Sequence, residues 1–133
     1  MKKLILDTSF LSAYLNNVDV NHEKALGIYD KICEDRGQDV ELVVSVNVLV
    51  ELLVGVRKLK KRKLNKILEF IEVFTDQVID IRYKNIEEFV EYLRLAKSSI
   101  TPVDQYLLFL AKKYDAEILT FDKKLLRKSL AEK

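Results

Sequence analysis

The chain contains few of the residues that form cross-links or metal sites, or that break helices and strands. Its 133 residues include one cysteine, one proline, one histidine, three glycines and no tryptophan. A single cysteine, Cys33, excludes an internal disulfide and suits a reducing cytosol, and we expect it to be a buried helix residue. With His22 as the one histidine, the chain has no histidine–cysteine cluster for zinc, and His22 is expected on a helix surface.

Long hydrophobic runs are also missing. No apolar stretch approaches the roughly 20 residues of a membrane-spanning helix, and the first apolar run stops at Asp7, too early for a secretory signal. The net charge of +2 is too close to zero to indicate a nucleic-acid partner by itself. Without repeats, low-complexity tracts or long linkers, residues 1–133 are expected to form a single domain that is cytoplasmic and makes no membrane contact.

What the chain does contain is an alternation of strand-like and helix-like segments. Short apolar or β-branched stretches predict four strands, at 4–6, 41–46, 77–81 and 116–121. Helical spacing predicts helices at about 10–15, 21–34, 47–55, 61–74, 85–97 and 101–114, and a last helix after 122. This alternation favours βαβ crossovers, so the expected fold class is α/β: a single-domain three-layer α/β/α sandwich with a central parallel sheet of about four strands.

Two of the predicted helices carry explicit start signals. Thr101 is a capping residue, and Pro102 follows it at the first helical position, where proline is favoured. Asn85 and Glu88 have the spacing of a capping box, which predicts that a helix begins at Asn85.

Four acidic residues occur where a parallel sheet would bind a ligand. Asp7 comes directly after the first strand, and Asp122 comes directly after the fourth. Asp104 lies in the first turn of the helix that Thr101 opens, and Glu51 lies one turn into the helix after the second strand. Because open parallel sheets bind ligands beyond the carboxyl ends of their strands, we expect these four acids to face one pocket.

Such an acidic pocket predicts a metal site. Carboxylates that share a dry site repel each other, and one of them normally holds a proton. A divalent cation removes the repulsion, and Mg²⁺ or Mn²⁺ prefers oxygen ligands. Taken singly, Asp104 is explained by the helix dipole, Asp122 by a turn or cap, and Glu51 by solvation. Asp7 is the most suggestive, because it ends a buried strand.

The order and content of these segments resemble a PIN domain of the small VapC-like ribonuclease kind. The matching segments are LILDTS at 4–9, VLVELL at 48–53, PVD at 102–104 and LTFD at 119–122. Each is a weak signal alone, but together they span nearly the whole chain in the family's order. The resemblance implies a parallel sheet with Asp7 at its centre.

The resemblance also implies an activity. The four acids would bind Mg²⁺ or Mn²⁺, directly or through water, and would be the catalytic residues of RNA phosphodiester hydrolysis. Thr8, Ser9 and Thr120 match hydroxyl positions that support the site in such proteins. VapC-like proteins are usually toxins blocked by a small antitoxin and are often homodimers. The expected partners are therefore RNA, an antitoxin and a second copy of the chain.

An acidic pocket that cleaves RNA needs basic residues nearby to hold the substrate. One basic run comprises Arg57, Lys58, Lys60, Lys61, Arg62, Lys63 and Lys66, and another comprises Lys123, Lys124, Arg127 and Lys128. The residues predicted to bind RNA are Arg57, Lys58, Lys61, Arg62, Lys123 and Lys124. A solvated helix face explains either run equally well.

The match departs from the family pattern near the end of the sequence. Family members often continue into a further strand after the fourth acid, whereas this sequence ends about one helix later, at Lys133. The sheet is therefore expected to lack that edge strand or to borrow it from another chain.

Three other functions stay open. The same fold could bind protein or RNA without cleavage, although the signature of that function, a broken acidic quartet, is not seen. It could also be a stand-alone RNA-processing nuclease without an antitoxin. An aspartyl-phosphate enzyme is disfavoured, because such phosphatases usually need a second acid two residues after the first, and that position is Ser9.

Overall fold

The computed structural model describes residues 2–35, 40–55, 60–74, 77–79, 83–95 and 100–131. The strands are β1 (Lys2–Leu6), β2 (Val40–Ser45), β3 (Gln77–Ile79) and β4 (Glu117–Leu119). The helices are α1 (Thr8–Leu15), α2 (His22–Asp35), α3 (Val46–Gly55), α4 (Lys61–Phe74), α5 (Tyr83–Leu95), α6 (Pro102–Tyr114) and α7 (Lys123–Ala131). No helix within these ranges is long and apolar enough to cross a membrane.

The four strands form one parallel sheet in the order β3-β2-β1-β4. β1 is central, and its residues 4–6 are at most 5% exposed, as expected for a strand covered on both faces. The register pairs Leu6 of β1 with Leu119 of β4. Asp7, the next residue, therefore lies in the middle of the carboxyl edge of the sheet.

The connections place helices on both faces of the sheet. β2 and β3 are added in turn on one side of β1. The chain then crosses back, and β4 is added on the other side of β1. Right-handed crossovers in opposite directions put α1–α4 and α5–α6 on opposite faces. The contacts agree, since α1 packs on α2 and α3 whereas α5 packs on α6. The expected three-layer sandwich is confirmed, and the strand order reverses between β1 and β4, where such sheets bind ligands.

The start of α6 follows the predicted signal. Thr101 is the N-cap, its hydroxyl accepts the backbone N–H of Asp104 at 3.3 Å, and Pro102 occupies the first turn. Residues 105–110 are all buried, because this helix packs between the sheet and its neighbours α5 and α7. A buried helix with a fixed start holds Asp104 at a defined place beside the sheet.

The capping-box prediction for α5 is wrong. The helix begins at Tyr83, two residues earlier, and Asn85 lies inside it with 6% of its surface exposed. Asn85 Oδ1 accepts a hydrogen bond from Lys113 Nζ of α6 at 2.7 Å, and Glu88 Oε2 accepts one from the same ammonium at 2.6 Å. The spacing of these two residues therefore serves a contact between helices rather than a helix start.

Two further predictions are corrected. Cys33 is exposed on α2, because that helix turns other residues, among them Ala25 and Ile32, toward the core. His22 is partly buried rather than on the surface, and its Nδ1 lies 2.8 Å from the carbonyl oxygen of Ala13. That contact ties the start of α2 to α1. The expected continuation of the third strand to 80–81 lies outside the described residues.

Candidate active site

Asp7 is the centre of a hydroxyl network at the carboxyl edge of the sheet. Its Oδ2 accepts hydrogen bonds from Ser9 Oγ at 2.8 Å and from Thr120 Oγ1 at 2.7 Å. Ser9 Oγ accepts the backbone N–H of Phe121 at 3.0 Å, and Thr120 Oγ1 accepts that of Asp122 at 3.0 Å. These bonds tie the ends of β1 and β4 together.

The network fixes the orientation of Asp7. The Ser9 and Thr120 hydroxyls both donate to Oδ2, so this oxygen acts as an acceptor of two hydrogen bonds. The two hydroxyl oxygens lie 3.1 Å apart because both point at the same atom. Although Asp7 is the N-cap of α1, its side chain makes no capping bond. The bonds found among the described residues all use Oδ2, which leaves Oδ1 for a ligand.

Asp122 combines a structural bond with a position in the site. Its Oδ1 accepts the backbone N–H groups of Lys124 at 2.9 Å and Leu125 at 3.1 Å, so it caps α7. The prediction that Asp122 serves as a turn or cap residue is therefore correct, and this role is compatible with a role in the site. The cap orients the carboxylate while the residue stays exposed beside Asp7.

The pKa of Asp104 reports the electrostatic effect of the neighbouring carboxylates. Its pKa lies above the ordinary value of 3.8, first because burial disfavours the charged form and then because Asp7 and Asp122 are negatively charged. A hydrogen bond with the Thr101 hydroxyl opposes this rise, and the charge of Glu51 adds to it. The carboxylates are thus close enough to repel one another.

Glu51 reaches the site from α3, on the other side of β1. Leu52 beside it is buried, whereas Glu51 itself is exposed and Val50 is 54% exposed. The acid therefore lies on the open face of an otherwise apolar helix. Solvation alone accounts for its exposure, but Glu51 also lines the same cleft as Asp104, and its charge contributes to the raised pKa of Asp104.

The four acids line one cleft of about 510 Å³. The remaining described residues that line it are Thr8, Ser9, Ser12, Thr101 and Val103. Every polar group in this set is an oxygen donor, which is the ligand type that Mg²⁺ and Mn²⁺ prefer. As the side chains stand, no group of three acids among the described residues is drawn together tightly enough to hold one ion. An ion would therefore bind with small side-chain movements or through water.

Two observations indicate that the donor set fits a cation. The raised pKa of Asp104 means that the cleft disfavours its own negative charge, and a cation would relieve that. Thr8 Oγ1 is buried beside the cleft and finds no hydrogen-bond partner among the described residues. Buried polar atoms without a partner are uncommon and call for water, an ion or a ligand.

A model of the PIN domain matches residues 4–130. The chain belongs to the PIN domain family. Comparison with curated proteins gives no match. The matched range contains all four acids and both β1 and β4, so it covers the whole of the cleft that this PIN domain forms.

Solved structures share the fold of this PIN domain. VapC20 of Mycobacterium tuberculosis, described as a sarcin-ricin loop cleaving toxin, is 20% identical with a TM-score of 0.70, over 94% of each chain. FitAcB of Neisseria gonorrhoeae is 21% identical with a TM-score of 0.70, over 95% of this chain and 92% of that one. VapBC2 of Rickettsia felis, bound to a DNA fragment from its promoter, is 22% identical with a TM-score of 0.64, over 94% and 92%.

Among the described residues, none of the basic side chains predicted to bind RNA lines the cleft. Lys61 and Arg62 are exposed at the start of α4, and Lys123 and Lys124 are exposed in the first turn of α7, directly after Asp122. Arg57 and Lys58, also predicted to bind RNA, lie outside the described residues.

Sequence reasoning missed other residues of the cleft and its surroundings. Ser12 lines the cleft and lies one helical turn after Thr8 on α1, a spacing that could have predicted it. Thr101 and Val103 line it through the start of α6. Lys66 lines a neighbouring groove, and nothing local in the basic run distinguishes it from the lysines around it.

Proposed function

We propose that this PIN domain is a Mg²⁺- or Mn²⁺-dependent endoribonuclease and the toxin of a toxin–antitoxin pair. The observation that carries the proposal is the cleft at the switch point of the parallel sheet, lined by Asp7, Glu51, Asp104 and Asp122 from four separate segments. Carboxylates this close cost folding free energy unless a cation offsets their repulsion. A fold that keeps them there is best explained by a bound metal.

In this proposal the four acids are the metal ligands, and neighbouring groups orient those ligands. When bound, the metal would lower the pKa of a water molecule and neutralise charge on the phosphate. The Ser9 and Thr120 hydroxyls hold Asp7 through its Oδ2 and leave its Oδ1 for the ion. The backbone of α7 keeps Asp122 oriented through the capping bonds to its Oδ1. Two of the four acids are thus oriented before an ion arrives, and the others would complete the site through small side-chain movements or water.

RNA is proposed as the substrate because exposed basic residues occur near the cleft in the chain. Lys123 and Lys124 come directly after Asp122, and Lys61 and Arg62 are exposed at the start of α4, the helix whose Lys66 lines the neighbouring groove. Contacts from such residues to phosphates position a nucleic acid without reading its sequence. The similar fold of VapC20, described as cleaving the sarcin-ricin loop, supports RNA over DNA.

The proposed protein partners are an antitoxin and a second copy of the chain. VapC20 is described as a toxin, which supports the first. Support for the second comes from apolar side chains one helical turn apart on exposed faces, namely Val50 and Val54 of α3 and Ile86 and Val90 of α5. Such faces are expected to be covered by another protein.

The decisive experiment compares wild type and Asp7→Asn on a mixed pool of single-stranded RNA with Mg²⁺ or Mn²⁺, after any co-purifying partner has been removed. Asparagine keeps an acceptor for the two hydroxyls but removes the charge, so the fold should survive. Asp30→Asn, an exposed acid of α2, is the matched control. We expect wild type and Asp30→Asn to cleave only with metal, and Asp7→Asn to be inactive.

The proposal fails if the wild type cleaves no RNA and binds no metal by calorimetry. A domain of this fold that binds RNA or protein without cleavage would then be the better explanation. Metal-dependent cleavage that no partner protein inhibits would instead indicate a stand-alone RNA-processing nuclease.

A further inference from the structure

A second depression adjoins the acidic cleft on the face formed by α1, α3 and α4. We define this as the α1–α4 groove; its volume is about 840 Å³, and its lining includes Thr8, Ser12, Asn16, Asn17 and Lys66. Thr8, Ser12 and Glu51 line both the groove and the acidic cleft. The two depressions therefore adjoin and share part of one wall.

The chemistry changes from acidic in the cleft to basic in the groove. The four carboxylates line the cleft, and Lys66 of the groove is the basic side chain among the described lining residues of both. Between them lie the Ser12 hydroxyl and the side chains of Asn16 and Asn17, which offer hydrogen-bond donors and acceptors. Asn16 also ends α1 and accepts the backbone N–H of Val18 at 3.2 Å, which fixes that wall of the groove.

The positive charge continues beyond the groove. Arg62 lies one helical turn before Lys66, so the two side chains share a face of α4, and both are exposed. A phosphate of a strand that passes from the acidic cleft into the groove would meet Lys66. A volume near 840 Å³ is within the roughly 300–1,000 Å³ of ligand sites, which suits one or two nucleotides rather than a duplex.

We propose that the α1–α4 groove binds the nucleotide next to the scissile phosphate of a single-stranded RNA, with Lys66 bound to its phosphate. This inference rests on the proposed nuclease function and names the path of its substrate. The polar residues of the groove suit the exposed base edges of an unpaired strand, which is the form of RNA that proteins read most readily.

The test measures cleavage by wild type, Lys66→Ala and Lys66→Arg, with Lys31→Ala as the control from an exposed position of α2 that lines neither depression. For longer oligonucleotides, Lys66→Ala should raise KM about tenfold and leave kcat unchanged. The slope of log KM against log salt should fall by about 0.7, as for one lost phosphate contact on a single strand. A dinucleotide that ends before Lys66 should be cleaved equally by both, and Lys66→Arg should behave as wild type.

The outcomes separate this inference from the proposed function. If wild type cleaves RNA and Lys66→Ala has the same KM at every length, the groove does not bind the substrate, although the nuclease stands. If wild type cleaves nothing, anisotropy of the labelled RNA decides: about tenfold weaker binding by Lys66→Ala supports the groove, and equal binding overturns it. A variant that binds RNA normally but loses a co-purifying protein also overturns it and assigns the groove to that protein.

Discussion

The acidic cleft and the contact between α5 and α6 both gather charged side chains on this PIN domain, but their charges are arranged differently. In the second place, which we call the Lys113 cluster, Lys113 Nζ donates to Asn85 Oδ1 at 2.7 Å and to Glu88 Oε2 at 2.6 Å. The same ammonium lies 5.9 Å from the centroid of the Phe109 ring. Opposite charges meet there, and the buried amide oxygen has its donor.

The acidic cleft has no such balance among the described residues. Four acids line it, hydroxyls rather than cations hold Asp7, and the pKa of Asp104 is raised by burial and by the other carboxylates. A cluster that stabilises the fold completes its charges from within the chain. A cluster whose charges are incomplete is expected to be completed by a ligand. The two clusters should therefore respond in opposite ways to mutation.

The largest expected effect comes from Asp104→Asn, which removes one charge from the cleft. We expect cleavage to fall about a hundredfold or more, since metal stabilisation of the transition state is worth several kcal/mol. We also expect the metal-free protein to be at least as stable as wild type, because like charges are removed. Initial rates with Mg²⁺ and thermal melting in chelator measure the two quantities.

The control for this prediction is Asp115→Asn at the other end of α6. Asp115 has a φ of 50°, a left-handed conformation that asparagine also tolerates, so activity and stability should stay near wild type. A clear loss of stability in metal-free Asp104→Asn would contradict the comparison, since it would mean that Asp104 supports the fold.

The next effect is on metal affinity. Ser9→Ala removes one of the two donors to Asp7 Oδ2 and the acceptor of the Phe121 N–H. Groups that orient metal ligands are typically worth about 10–100-fold in affinity, so the dissociation constant for Mn²⁺ should rise by that factor. Calorimetry measures it, with Ser129→Ala as the control, because that hydroxyl donates to the Leu126 carbonyl within α7. Equal affinity in Ser9→Ala would show that the hydroxyl network does not serve a metal site.

A smaller effect is expected in the Lys113 cluster, on stability alone. Lys113→Met removes both bonds and leaves the buried Asn85 oxygen without its donor, which should lower the free energy of unfolding by about 1–3 kcal/mol. Denaturant titration measures this, and the cleavage rate per folded molecule should be unchanged. Lys112→Met, its exposed neighbour on α6, is the control and should be neutral. A loss of activity without a loss of stability would place Lys113 in the active site instead.

The sequence predicted the acidic cleft better than the Lys113 cluster, and the reason is physical. Asp7 directly follows β1 and Asp122 comes three residues after the end of β4, and the parallel sheet brings strand ends together whatever the details of packing. Asn85 and Lys113 are 28 residues apart and meet only because α5 packs on α6. The spacing of Asn85 and Glu88 therefore suggested a local cap that does not form.

Helix orientation explains the other failures of sequence reasoning. Which side of α2 faces the core depends on its packing against α1, so the exposure of Cys33 could not be derived from its own segment. The same holds for α4, where Lys66 lines the groove while Lys61 and Arg62 do not. Element order and strand ends follow from local pattern, whereas the direction of an individual side chain follows from tertiary contacts.

The smallest expected effect is a pH dependence whose sign separates the cleft from an ordinary salt bridge. Because the pKa of Asp104 is raised in the folded state, the folded protein binds more protons at this residue than the unfolded chain does. Stability from Asp104 is then greatest below the ordinary pKa of 3.8 and falls as pH rises through the higher folded pKa. An acid whose pKa is lowered by a cation behaves in the opposite way.

The measurement is the difference in unfolding free energy between wild type and Asp104→Asn at several pH values, which cancels the other titrating groups. In chelator, the unfolding free energy of wild type should fall relative to that of Asp104→Asn as pH rises. With saturating Mg²⁺, the unfolding free energy of wild type should instead rise relative to that of Asp104→Asn, because a bound cation stabilises the ionised carboxylate. If the difference changes with neither pH nor metal, the neighbouring carboxylates do not destabilise ionised Asp104. The contrast between the two clusters would then have no basis.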